Sequence, residues 1–159
     1  MSTEVKIHEY QPAYAEVFYR LNEAWITKYF VMEPSDHAYL NHPQEKIIDH
    51  GGYILFAEYE NKIVGCCALI NNENGIYELS KMAVYPAAQG KHIGKILGEA
   101  IIQKARSIGA KKVFLNSNTI LETAINLYKK LGFTEVPINM QTYVRSNIQM
   151  EMYLQSHEP

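Results

Sequence analysis

Apolar residues recur along this chain in two rhythms, one near 3.6 and one of 2, and their succession lays out the elements. Glu4–Glu9 is expected as a short first strand. Pro12 suits an early helical position, where its missing N–H would have no intrahelical acceptor in any case. Ala13, Val17, Leu21, Ala24 and Trp25 then follow helical spacing to about Lys28. Pro34–His50 is less periodic and predicts a second, shorter helix with loops. Tyr53–Tyr59 and Lys62–Ile70 are nearly continuous apolar stretches joined by Glu60-Asn61, a hairpin pattern. A polar turn over Asn71–Gly75 leads to a third strand, Ile76–Tyr85, which Pro86 ends. Ile93, Leu97, Ile101, Ala105 and Ile108 mark one face of a long helix that Gly109 stops. Val113–Asn118 is another short strand. Thr119 and Glu122 fit a capping box, in which two side chains satisfy backbone donors reciprocally. The helix it would open carries Leu121, Ala124, Ile125, Tyr128 and Leu131 inward. Lys129 and Lys130 complement its dipole, and Gly132 ends it. Finally Ile148, Met150, Met152 and Leu154 alternate with Asn147, Gln149, Glu151 and Tyr153, as in a strand buried on one face. The order β-α-α-β-β-β-α-β-α-β-β predicts an α/β or α+β domain with a mixed sheet, antiparallel in its first half.

Composition narrows the class. The chain has 159 residues and no Pro/Gly/Ser-rich linker, so residues 1–159 are expected to form a single domain. Hydrophobic residues make up 47% and charged ones 20%, which is globular rather than disordered composition. A net charge of −2 excludes a generally basic nucleic-acid binder while leaving room for a local anion site. No apolar run approaches the ~20 residues of a membrane helix, and Met1-Ser2-Thr3-Glu4 begins no signal peptide. The expectation is a cytoplasmic protein with no membrane partner. Cys66 and Cys67 are adjacent in an apolar strand and read as packing residues rather than a disulfide.

Candidate chemistry concentrates where the third strand meets the long helix, over Val84–Lys95. Gly90 and Gly94 lack side chains, so a ligand can approach the backbone there. The first helical turn directs unpaired N–H groups and partial positive charge outward. Lys91, Lys95 and His92 add side-chain donors, and the whole forms an anion site suited to a phosphate or pyrophosphate. An ordinary solvated turn explains the same residues. It is neither a P-loop, since Gly-Lys-Ser/Thr is absent, nor a dinucleotide fingerprint, since no G-x-G-x-x-G precedes the helix.

Glu78-Leu79-Ser80-Lys81-Met82-Ala83-Val84-Tyr85-Pro86, followed by Gln89-Gly90-Lys91-His92-Ile93-Gly94, resembles the acetyl-CoA motif of the GNAT N-acetyltransferases. That motif is Gln/Arg-x-x-Gly-x-Gly/Ala at the end of a strand. A second family signature is matched by Leu115-Asn116-Ser117-Asn118 and then Ala124–Phe133, in the family's order. The resemblance implies the GNAT acyl-CoA N-acyltransferase fold, a mixed, mostly antiparallel sheet of six or seven strands flanked by about four helices. His92 departs from the pattern, standing where the motif has its first glycine. A positive φ there would strain it, whereas a first helical position would accommodate it.

By the same resemblance, Gln89, Gly90, Lys91, His92, Ile93 and Gly94 would hold the pyrophosphate of acetyl-CoA, with Lys95 entering the helix. The pantetheine arm would pair with the backbone of Met82, Ala83 and Val84 as an added strand. That strand and the one ending at Asn118 would splay apart to admit it. Asn118 would bond the cofactor's amides, cap the following helix, or both. Tyr128 matches the family's general acid, although its place on an apolar face equally suits a core tyrosine. Glu78, read by alternation as sharing a side with Met82, could accept the amine's proton directly or through water, or be structural. Backbone N–H near Val84 would form an oxyanion hole.

Remaining candidates carry less. His37, His42 and His50 lack the spacing of a zinc site, and no metal is expected. Arg145 and Asn147, read as lying on the polar side of the last strand, could hold a substrate carboxylate or face solvent. Tyr29, Phe30, Tyr39 and Tyr53 could line an acceptor cleft. The expected activity is direct acetyl transfer from acetyl-CoA to a small-molecule or peptide amine in a ternary complex. A non-catalytic acyl-CoA-binding or regulatory domain of the same fold is the alternative. Relatives of this type are often dimers, so a homodimer is a further expectation.

Overall fold

Both rhythms resolve into one seven-stranded sheet with helices on each face. The computed structural model describes residues 4–139 and 143–154. Strands β1 (Lys6–Glu9), β2 (Tyr53–Tyr59), β3 (Lys62–Asn71) and β4 (Ile76–Val84) pair antiparallel in chain order. Strand β5 (Lys112–Ser117) lies parallel to β4, the one parallel pair among the described residues. Strand β7 (Ile148–Tyr153) pairs antiparallel with β5, and β6 (Thr134–Val136) forms the outer edge beside β7. Among the described residues four α-helices accompany them: α1 (Ala15–Tyr29), α2 (Pro34–Asn41), α3 (Ile93–Ser107) and α4 (Glu122–Leu131). A single π-type turn over Gln44–Ile48 completes the segment expected to hold one short helix and loops.

The sheet separates two apolar cores. On one face Leu97 and Ile101 of α3 pack on Leu55, Cys67, Leu69 and Leu79, together with Val113 and Leu115. On the other, Phe18, Leu21 and Ile26 of α1 meet Leu40, Ile47, Phe56, Cys66 and Ala68. Cys66 and Cys67 therefore point into opposite cores, and burial raises both thiols, Cys66 to about 12. With both faces covered, the central strands read as continuous apolar runs rather than as alternation.

Strand β4 departs from plain alternation. Ser80 pairs with Ala68, yet Ala83 pairs with Cys66, so β4 carries one extra residue between them. Lys81 sits in this bulge with φ of 55°. The insertion reverses the faces beyond it: Leu79, Met82 and Val84 join the α3 core, whereas Ala83 joins the α1 core. Glu78 and Met82 accordingly do not share a side, contrary to the expectation from alternation. Pairing of β4 with β5 stops at Glu78–Phe114, and the two strands splay beyond it.

A capping box from Thr119 and Glu122 does not form. The residue before α4 is Leu121, with no side-chain cap. Thr119 is occupied by Asn147, which accepts its backbone N–H at 2.9 Å and donates to its hydroxyl at 3.2 Å. Asn118 does not cap α4 either. Its amide oxygen accepts Ile120 N–H at 3.0 Å, and its Nδ2 donates to Arg145 O at 2.8 Å. No helix of the described residues is long and apolar enough to cross a membrane.

Candidate active site

The splay of β4 from β5 opens a cleft of about 780 Å³. One wall is Met82, Ala83 and Val84, whose edge toward β5 has no strand partner among the described residues. Its N–H and C=O groups are thus available to an extended ligand. The floor toward α3 is Gln89, Gly90, His92, Ile93, Gly94 and Lys95, and the opposite wall includes Asn118 and Tyr128. Lys91 does not line the cleft: its Nζ lies 5.8 Å from the centroid of the Tyr59 ring.

Backbone conformation leaves the α3 end open to a ligand. Gly90 has φ of 84°, and a side chain added there would meet no atom within 4 Å, which leaves the approach open. His92 caps α3 in the left-handed conformation, φ 61° and ψ 18°, so the strained alternative is the one realised. Past it, the N–H groups of the first turn have no intrahelical acceptors and face partial positive charge outward. These residues fit a pyrophosphate, and the open edge of β4 fits the amide-bearing arm of a coenzyme A thioester.

Tyr128 is 9% exposed, lines the cleft from α4, and packs edge-on against Phe133 at 6.1 Å. Burial, then the nearby Cys67, pushes its phenol above the ordinary 10.0, so the hydroxyl keeps its proton at neutral pH. Glu78 is 6% exposed and does not itself line the cleft, but Asn116, which does, donates from Nδ2 to its Oε2 at 3.4 Å. Burial lifts its carboxyl from 4.5 to about 7, against the opposing pull of Asn116 and Lys81. A group poised there exchanges protons near neutrality.

At the other end the cleft is bounded by Trp25, Tyr29, Phe30, Lys81, Tyr143 and Arg145. Of the aromatic residues expected at an acceptor cleft, Tyr29 and Phe30 are present, while Tyr39 and Tyr53 lie outside the lining. Arg145 and Asn147 precede β7 rather than lying on it. Asn147 is spent on Thr119 and is not in the cleft. Arg145 is in the cleft, but its guanidinium already bridges Asp36, Nη1 to Oδ2 at 2.6 Å and Nη2 to Oδ1 at 2.8 Å.

Lys81, in the cleft lining, and Asp36 form a buried ion pair that pattern reading passed over. Lys81 Nζ donates to Asp36 Oδ1 at 2.6 Å and to Tyr143 OH at 2.7 Å, and its side chain is almost wholly buried. Burial raises the Asp36 carboxyl, but Arg145 and Lys81 outweigh it and hold it at about 2. Burial lowers Lys81 more than Asp36 restores it, with Arg145 adding repulsion. The available signal was a lysine inside an apolar strand, which requires a buried counter-charge. The chain offers that partner from α2. Among the described residues no three His, Cys, Asp or Glu side chains converge to hold a metal ion.

Residues 17–133 match the family model described as acetyltransferase (GNAT) family. The chain is 38% identical over 82 residues to the uncharacterized N-acetyltransferase YjgM of Escherichia coli K12, covering 50% of this chain and 49% of that protein. It spans about half the length of the curated relatives it matches. A GNAT-family acetyltransferase from Staphylococcus aureus Mu50 superposes with a TM-score of 0.86 at 21% identity, covering 96% of this chain and 100% of that one. Salmonella typhimurium yncA, solved with its cofactor acetyl-CoA, superposes with a TM-score of 0.76 at 20% identity, covering 98% and 97%. At these identities the structures establish the shared fold.

Proposed function

The chain belongs to the GNAT family of acetyltransferases, and from that membership we propose that it transfers an acetyl group from acetyl-CoA directly to a primary amine in a ternary complex. The observation that carries this reading is one cleft joining three parts: the open edge of β4, the N-terminus of α3 and the phenol of Tyr128. When bound, acetyl-CoA supplies an activated acetyl thioester. Gly90, His92, Ile93, Gly94 and Lys95 bind its phosphates through backbone N–H groups and the Lys95 side chain, and Met82–Val84 align its arm by strand-like pairing. Asn118 stands at the facing strand end, although its amide is already held by Arg145 O and Ile120 N–H. Backbone N–H near Val84 stabilises negative charge on a carbonyl oxygen. Tyr128 holds a proton at its phenolic oxygen, available to a sulfur leaving as thiolate. Glu78 receives the amine's proton through water, because its carboxylate is set back from the cleft.

The test is thiol release from acetyl-CoA across an amine panel, with calorimetry of acetyl-CoA in parallel. Tyr128→Phe should lower kcat by about 100-fold while leaving acetyl-CoA affinity within about twofold. Loss of affinity instead would make Tyr128 a packing residue. Tight acetyl-CoA binding with no amine acetylated would favour the non-catalytic acyl-CoA-binding domain.

A further inference from the structure

We propose that the acceptor is an amine that also bears a carboxylate, an amino acid with a large apolar side chain, and that Arg145 binds the carboxylate while Trp25, Tyr29 and Phe30 receive the side chain. This rests on the acetyltransferase reading and specifies its substrate class. Charge in the cleft is one-sided. Lys95, Lys130 and Arg145 line it together with Lys81, whose ammonium is buried on Asp36, and among the described residues the one lining carboxylate is Glu122, on α4. At the acceptor end the nearest carboxylates are committed inward. Asp36 is 0% exposed and bridges two cations, and Glu33 accepts the backbone N–H groups of Val144 and Arg145. A polycationic acceptor would find both carboxylates already engaged, whereas an anionic group would find the cleft-lining Arg145 guanidinium, which is paired with Asp36 and, at 3.6 Å, with Glu33.

The Arg145 guanidinium is preorganised for such a group. Its Cζ lies over the Tyr143 ring, 4.3 Å from the centroid, and 5.7 Å and 5.9 Å from the centroids of Trp25 and Phe30. Asp36 takes one N–H from each terminal nitrogen, and the side chain remains 11% exposed along the cleft wall. Five N–H donors in a rigid fork allow a second carboxylate without releasing the first. Trp25 is itself fixed, its Nε1–H donating to the buried Asn22 Oδ1 at 3.1 Å. Rings and guanidinium held this way lose little freedom on binding.

Trp25 is the chain's one tryptophan, so its emission reports occupancy of this end without turnover. The probes are phenylalanine, phenethylamine, which lacks only the carboxylate, and spermidine. Phenylalanine should bind about 10- to 100-fold more tightly than phenethylamine, the range of one charge-assisted pair. Arg145→Gln should abolish that ratio, and Arg145→Lys should restore part of it, with acetyl-CoA affinity unchanged in both. If neither variant folds, the ratio in the native protein decides alone. Equal or tighter binding of phenethylamine or spermidine overturns the proposal, as does no response to phenylalanine. Failure to bind acetyl-CoA would instead overturn the acetyltransferase reading.

Discussion

His92 holds a conformation that its side chain disfavours, φ 61° at the entrance to α3. A non-glycine residue there costs about 1 kcal/mol, so His92→Gly should stabilise the fold by about that amount in urea denaturation. Glu78 shows the opposite coupling of residue to function, a destabilised ionised form kept in place. Its carboxyl is lifted from 4.5 to about 7, so the folded state retains a proton that the unfolded chain has lost. The stability it contributes is present below pH 4.5 and is lost as pH rises through about 7. Glu78→Gln should therefore raise Tm at pH 8 by about 2 °C or more and change it little at pH 5. As base, Glu78 predicts kcat/KM rising with pH up to about 7 and then levelling, a limb that Glu78→Gln removes. Persistence of that limb in the variant would assign it to another group. His92's place in the motif is legible in the sequence. Its sign of φ is not, because the helix start one residue later depends on how the loop docks.

Among the elements, β4 decides most. Its apolar run and the stop at Pro86 are legible residue by residue, and so is the amphipathic face of α3. The bulge at Lys81 is not, since one inserted residue reverses every later side chain and leaves the hydrophobic content unchanged. The splay of β4 from β5 likewise belongs to pairing between segments far apart in the chain. At the start of α3, Gly94 lies with its absent side chain facing Leu127, 3.4 Å from where a Cβ would stand. Gly94→Trp should raise the acetyl-CoA Kd by about 10-fold or more by filling the cradle, with a Tm loss of a few degrees at most. Unchanged affinity in calorimetry would remove this turn from the cofactor site.

Across the whole molecule, Asp36 ties α2 to the segment entering β7, pairing with Lys81 and with Arg145, 109 positions away. Asp36→Asn leaves two cations without their shared counter-charge and should destabilise the protein by about 3–5 kcal/mol at pH 7, measured by urea denaturation. The carboxyl is held at about 2 against an ordinary 3.8, so this stabilisation is complete above 3.8 and is lost as pH falls through about 2. Acid unfolding over that window should be shallower in the variant. By itself the sequence determined the order of elements, the mixed sheet and the glycine-containing turn that opens α3, because each follows from local periodicity or from residues adjacent in the chain. Only the tertiary structure decided which face Glu78 takes, that Lys81 and Arg145 share Asp36, and that aromatic rings of α1 meet the segment before β7. Those contacts join residues tens of positions apart, and a one-residue bulge or a single buried charge pair leaves no periodic trace.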